Sequence, residues 1–145
     1  MKILISNNQN KHEICQKTLQ KKAMAILNAL DYHDHELSIV ITDDTEITEL
    51  NQQYFNRQGP TNVIAFPMQS ETFPDINPDL LGDVVISADT AAREAEDGEI
   101  VFDQRMTELL IHGILHLLGY DHETDVEEAK EMETKAEELL HLLNT

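Results

Sequence analysis

Cysteine occurs once in this chain of 145 residues, at Cys15, so no disulfide can form within it and the fold must rest on a buried apolar core. Cys15 itself reads as one more small apolar residue. Basic side chains are scarce as well: 10 Lys and Arg stand against 28 Asp and Glu, a formal charge of −18. The deficit is one-sided. Residues 1–70 hold 6 basic and 8 acidic side chains, residues 71–145 hold 4 and 20. Such a field repels phosphates and nucleic acid, so a polyanion must approach through the less acidic N-terminal half or a bound metal. The cations of that half are Lys2, Lys11, Lys17, Lys21, Lys22 and Arg57, and the four lysines between 11 and 22 read as a solvated helix face. Long apolar runs are missing too. Met1 to Ser6 gives way at once to Asn7, Asn8, Gln9 and Asn10, too short for a signal peptide, and nothing later approaches a membrane span. A reducing cytoplasm is the expected setting, with no membrane partner. No repeat, low-complexity tract or linker interrupts the chain, so residues 1–145 are expected to form one domain that buries about two-thirds of its unfolded surface.

The apolar pattern alternates between the two periods of regular structure. Residues 2–6 read as a strand and 11–30 as a helix, with Leu19, Ala23, Ile26, Leu27 and Leu30 on one face. A second strand at 37–42 leads to Asp43, an N-cap expected to form a capping box with Glu46 and to open a helix buried through Ile47, Leu50 and Tyr54. Strands at 63–66 and about 81–87 follow, separated by an irregular stretch at 68–80 that holds Pro74 and Pro78. Val84, Val85 and Ile86 are apolar in succession, as in a strand covered on both faces. Helices are expected at 88–97, at 103–118 and, after a Thr124 and Glu127 capping box, up to about 143, the last facing inward through Val126, Ala129, Met132, Ala136, Leu139 and Leu143. Strands mixed with helices in this order give a single α+β domain.

The most informative segment is HGILHLLGYDH at 112–122. Residues four apart on a helix lie about 40° apart around the axis and about 6 Å along it, so His112 and His116 can reach one metal ion. A third ligand six residues on would point away if the helix continued, so the helix must end between His116 and His122. Gly119 can end it by taking a left-handed conformation, which returns Tyr120, Asp121 and His122 toward the ion. His112, His116 and His122 are therefore the candidate metal ligands, and Asp121 is a candidate to orient a ligand imidazole. His12, His33, His35 and His141 lack this spacing and read as surface residues.

Three protein ligands leave a coordination position open, which marks catalytic rather than structural zinc. Imidazoles suit zinc, and also nickel or copper. Such an ion lowers the pKa of water to about 7 and polarises carbonyl or phosphoryl oxygens, so hydrolysis is the expected reaction class. The spacing fits the metzincin pattern H-E-x-x-H-x-x-G-x-x-H except at Gly113, where a peptidase carries its general-base glutamate. Gly113 reads either as a place of close helix packing or as room for a bulky substrate.

HGILHLLGYDH, together with LNQQYFNRQGPTNVIAFP at 50–67 and LLGDVVIS at 80–87, resembles the YbeY family of bacterial endoribonucleases over most of the chain. The resemblance implies a zinc-dependent, single-strand-specific endoribonuclease of the cytoplasm that matures the 3′ end of 16S ribosomal RNA and acts in ribosome quality control. It implies one zinc ion per chain on His112, His116 and His122, contacts with ribosomal RNA and small-subunit proteins, and a mostly parallel four-stranded sheet packed with helices, one of them a zincin-like metal helix. The family commonly has arginine directly after the tyrosine that matches Tyr54; here that residue is Phe55, and Arg57 is the nearest guanidinium. Arg57 is accordingly the candidate to contact substrate phosphate, beside His112 and His116 at the catalytic centre. Two other classes fit the same residues: a metal hydrolase of another substrate, such as a peptide, and a metal-stabilised ribosome-associated protein without turnover.

Overall fold

In the computed structural model, residues 2–67, 80–120 and 126–144 are described, and they form four strands and five helices. Strand β1 (Lys2–Asn7) is followed by α1 (Gln16–Ala29), β2 (Glu36–Thr42), α2 (Asp44–Phe55), β3 (Val63–Pro67), β4 (Leu80–Ser87), α3 (Ala88–Asp97), α4 (Phe102–Leu117) and α5 (Val126–Leu143). The sheet order is β1-β2-β4-β3. β1 and β2 pair in parallel, as do β2 and β4, whereas β3 runs antiparallel to β4 with Val63 opposite Ile86, so the sheet is mixed.

Strand alternation sorts side chains between the two faces. Leu37, Ile39 and Ile41 of β2, with Val84 and Ile86 of β4, enter a large core with Leu19, Ile26 and Leu27 of α1, Leu110, Ile114 and Leu115 of α4, and Met132 and Leu139 of α5. Val85 and Ile64 face the other way and meet Ile47 of α2, flanked by Val40, Leu50 and Phe66. Val84, Val85 and Ile86 are all buried, as expected for a strand with both faces covered.

Several expectations are corrected. α1 begins at Gln16, not near 11, because the Gln9 side chain accepts the backbone N–H groups of Lys11 and His12 and donates to the His12 carbonyl, closing a turn first. Cys15 is exposed and caps α1, and its sulfur accepts a hydrogen bond from Thr18. Lys22 is not merely solvated: its Nζ donates to the buried Thr107 hydroxyl at 2.7 Å and ties α1 to α4. His12 and His35 are half-buried, whereas His33 and His141 are exposed as expected. His12 stacks on Phe102 and bonds Asp89. Asp43 accepts from the Glu46 N–H, but the Glu46 carboxylate bonds Thr42 instead of returning to Asp43, leaving half a capping box. Tyr54 and Val126 are exposed, because each lies where its helix extends beyond the core. The expectations at 68–79 and at Thr124 fall outside the described residues.

Candidate functional site

α4 is buried around most of its circumference by Met106, Leu109, Leu110, Ile111, Ile114 and Leu115, which fixes whatever its remaining face presents. That face carries Arg105, Glu108, His112 and His116 into a cavity of about 680 Å³. Thr61, Asn62, Val63 and Ala65 form one wall, Glu133, Ala136, Glu137 and Leu140 of α5 form the other, and Arg57 also lines it. The His112 and His116 rings stand with centroids 4.9 Å apart, edge to face. Both are half-buried. The four-residue spacing has thus produced two imidazoles side by side in a cleft.

Gly113 lies against the sheet between them. A β-carbon there would come within 2.6 Å of Val84 Cγ1 and 3.2 Å of Val63 Cγ2, so the absent side chain is what lets α4 approach β3 and β4. Of the two readings of Gly113, close packing is the one realised, and a peptidase-type glutamate has no space at this position. α4 then ends as its sequence predicts. Gly119 has φ +97°, the Gly119 N–H donates to the His116 carbonyl at 3.1 Å, and the Tyr120 N–H donates to the Leu115 carbonyl at 3.0 Å, the paired bonds of a Schellman stop. His122 and Asp121 come directly after and lie outside the described residues. Among the described residues, no group of three or more His, Cys, Asp or Glu is placed to hold one ion.

Arg57 owes its place to the end of α2. Asn56 adopts a left-handed conformation with φ 52° as the helix cap, and the Arg57 N–H donates to the Asn51 carbonyl. Asn51, buried, donates from Nδ2 to the Gly59 carbonyl at 3.0 Å and pins the loop from inside. Arg57 also lines an adjoining recess of about 260 Å³ together with Phe55, Pro67 and His116. Of the three arginines, Arg93 and Arg105 are held by carboxylates, whereas the Arg57 guanidinium has no hydrogen bond or ion pair among the described residues.

Sequence reasoning missed the floor of the cavity. Arg105 binds Glu94 at 3.1 Å and Glu108 at 2.8 Å, and Glu94 also accepts from Asn62 Nδ2 at 3.2 Å, so α3, α4 and the start of β3 are clamped together. Burial opposes the charge on Arg105, but the hydrogen bond to Glu108 and the nearby Glu94 outweigh it and hold the guanidinium pKa above its ordinary value. The available signal was spacing: Arg105 and Glu108 precede His112 by seven and four residues, on the same helix face.

The cavity lining carries both signs of charge. Arg105 and Glu108 pair with each other, Glu133 and Glu137 line the cavity from α5, and Arg57 lines it from the loop after α2. An anionic group entering it is attracted by the Arg57 guanidinium and repelled by the α5 carboxylates.

The family model described as Endoribonuclease YbeY matches residues 4–144. Proteins of that name include one from Geobacter sulfurreducens, 53% identical over 144 residues and covering 99% of this chain and 96% of the relative. Another, from Aquifex aeolicus, is 45% identical over 120 residues, covering 83% of this chain and 78% of the relative. A solution structure of a Thermotoga maritima protein superimposes with a TM-score of 0.66 at 27% identity, over 97% of this chain and 88% of that one. With a family match that spans nearly every residue, the chain belongs to the YbeY endoribonuclease family.

Proposed function

We propose that the protein is a metal-dependent endoribonuclease that cleaves single-stranded RNA in the cavity under α4, acting in the cytoplasm in 3′-end maturation of 16S ribosomal RNA and in ribosome quality control. The observation that carries the reading is the pairing of His112 and His116, 4.9 Å apart in a cleft that Arg57 also lines. Ribosomal RNA and small-subunit proteins are the partners this reading entails.

The donor set suits zinc. His112 and His116 offer imidazole nitrogens from one helix face, a zincin-like arrangement in this reading, and the Schellman stop at Gly119 ends the helix just before His122, the third donor of this reading. Bound there, one zinc ion per chain would supply Lewis acidity toward a phosphodiester and acidify water. The protein's own residues do the rest. Arg57 binds and orients the phosphate, offsetting its charge as the bond breaks. Asp121 orients the His122 imidazole in this scheme. The Arg105 bonds to Glu94 and Glu108 keep α4 at fixed distance from α3, so that the imidazoles do not drift during turnover. The glutamates of α5 confine the backbone of the strand to the Arg57 side.

The test is cleavage of labelled single-stranded RNA by the purified chain with and without a chelator. Cleavage that chelator abolishes and added zinc restores is the expected result. Chelator-resistant cleavage would remove the metal from the scheme, and binding to ribosomal proteins without cleavage would replace the enzyme with a docking protein.

A further inference from the structure

Aromatic residues make up only 5% of the chain, yet three of the seven gather beside the cavity. Phe55, the last residue of α2, has its ring centroid 5.9 Å from that of Phe66 on β3 at an interplanar angle of 30°, and Tyr54 meets the other side of the cluster 5.2 Å from Phe66 at 71°. Phe66 is anchored by packing against the smaller core with Ile47, Ile64 and Val85. The two outer rings are in water: Tyr54 is 58% exposed and Phe55 44%. Two adjacent rings held by a third and left uncovered form a rigid apolar surface, and its position identifies the occupant. Phe55 shares the 260 Å³ recess with Arg57 and His116. A phosphate held by Arg57 therefore brings the neighbouring part of its own strand over Phe55.

We propose that Phe55, braced by Phe66 and Tyr54, is a stacking platform for an unpaired nucleobase of the RNA strand whose phosphate Arg57 binds. The proposal rests on the ribonuclease reading and extends it to a residue that selects the substrate. Every nucleobase has a π-face, so the platform tolerates sequence, while a base paired within a duplex keeps that face covered by its neighbours. Stacking carries no net charge, so the share of affinity that Phe55 supplies should be insensitive to salt.

The chain contains no tryptophan, which supplies a direct probe. Phe55→Trp should bind a short labelled single-stranded RNA with near-native affinity, and its emission should be quenched as RNA is added. Phe55→Ala and Phe55→Leu should each weaken binding by about 5- to 100-fold, equally at low and high salt, with both variants still folded by circular dichroism. Affinity for the matching duplex should not change in any variant. Native-like RNA affinity for Phe55→Ala and unquenched emission from Phe55→Trp would overturn the platform while leaving the nuclease intact. Failure of the native chain to bind RNA at all would remove both readings.

Discussion

Two polar assemblies in this molecule use the same kinds of side chain to opposite ends. Where β2 and β4 deliver α2 and α3, Asp44 accepts from the Ser87 hydroxyl at 2.7 Å, the Thr90 hydroxyl at 2.6 Å and Arg93 at 2.7 Å, while Asp89 accepts from the Asp44 N–H at 3.1 Å and meets His12 at 2.9 Å. Each carboxylate is surrounded by donors. Burial works against both charges, but the bonds from Thr90, Ser87 and Arg93 to Asp44, and from the Asp44 backbone and His12 to Asp89, hold both pKa values below the ordinary carboxylate range. In the α4 cavity, Arg57 instead faces open space, and His112 and His116 stand half-buried at its edge. A histidine, an arginine and a pair of carboxylates therefore say little by type. The closed assembly serves the fold, and the open one is available to a ligand.

The contrast can be broken or sharpened in five ways, and the largest effect is expected at the open site. His116→Ala should reduce RNA cleavage by more than about 100-fold and abolish zinc retention while leaving the thermal unfolding of the metal-free chain nearly unchanged. Cleavage assays with metal analysis of the purified variant check it, and full activity would erase the distinction between the two assemblies. Gly113→Ala should destabilise the fold by about 1–3 kcal/mol, since the new methyl meets Val84 Cγ1, and denaturant titration reads the loss. Asp44→Ala should also destabilise by about 1–3 kcal/mol, because the Ser87 and Thr90 hydroxyls lose their acceptor, yet cleavage by the folded fraction should match the native rate.

The closed assembly also predicts a pH signature. With folded pKa values below the unfolded ones, Asp44 and Asp89 contribute stability that is complete above about pH 5 and is lost as pH falls through their depressed values. Asp44→Asn should flatten that acid limb in urea titrations taken at successive pH values. The smallest effect belongs to Arg57→Ala, which should weaken RNA binding more at low than at high salt and lower the slope of log affinity against log salt by about 0.7. An unchanged slope would place the phosphate elsewhere.

Much of this architecture was legible in the residues. The period-3.6 pattern of 103–118 located α4 within a residue at each end, and the i, i+4 relation of His112 and His116 located the cavity face. Gly119 marked the helix stop correctly, because a left-handed Schellman turn strongly favours glycine. What escaped was non-local. Alternation along β3 reports that Ile64 is buried but not that its neighbour β4 runs antiparallel, since period 2 carries no direction. His12 looked like surface because its partners, Asp89 and Phe102, lie 77 and 90 residues away. Tyr54 kept the right period and missed burial because α2 outlasts the core beneath it. The carboxylates around Arg105 were hidden for the same reason as His12, one of them being supplied by another helix.

The placement of Arg57 is inherited from a residue six positions earlier. One buried amide at Asn51 pins the turn at Gly59, and the Asn51 carbonyl holds the Arg57 N–H, so main-chain geometry fixes the point from which the arginine side chain reaches out. Engineering that retunes substrate choice can vary positions 55 and 57 freely, whereas inserting even one residue between 51 and 59 would redirect the cation altogether.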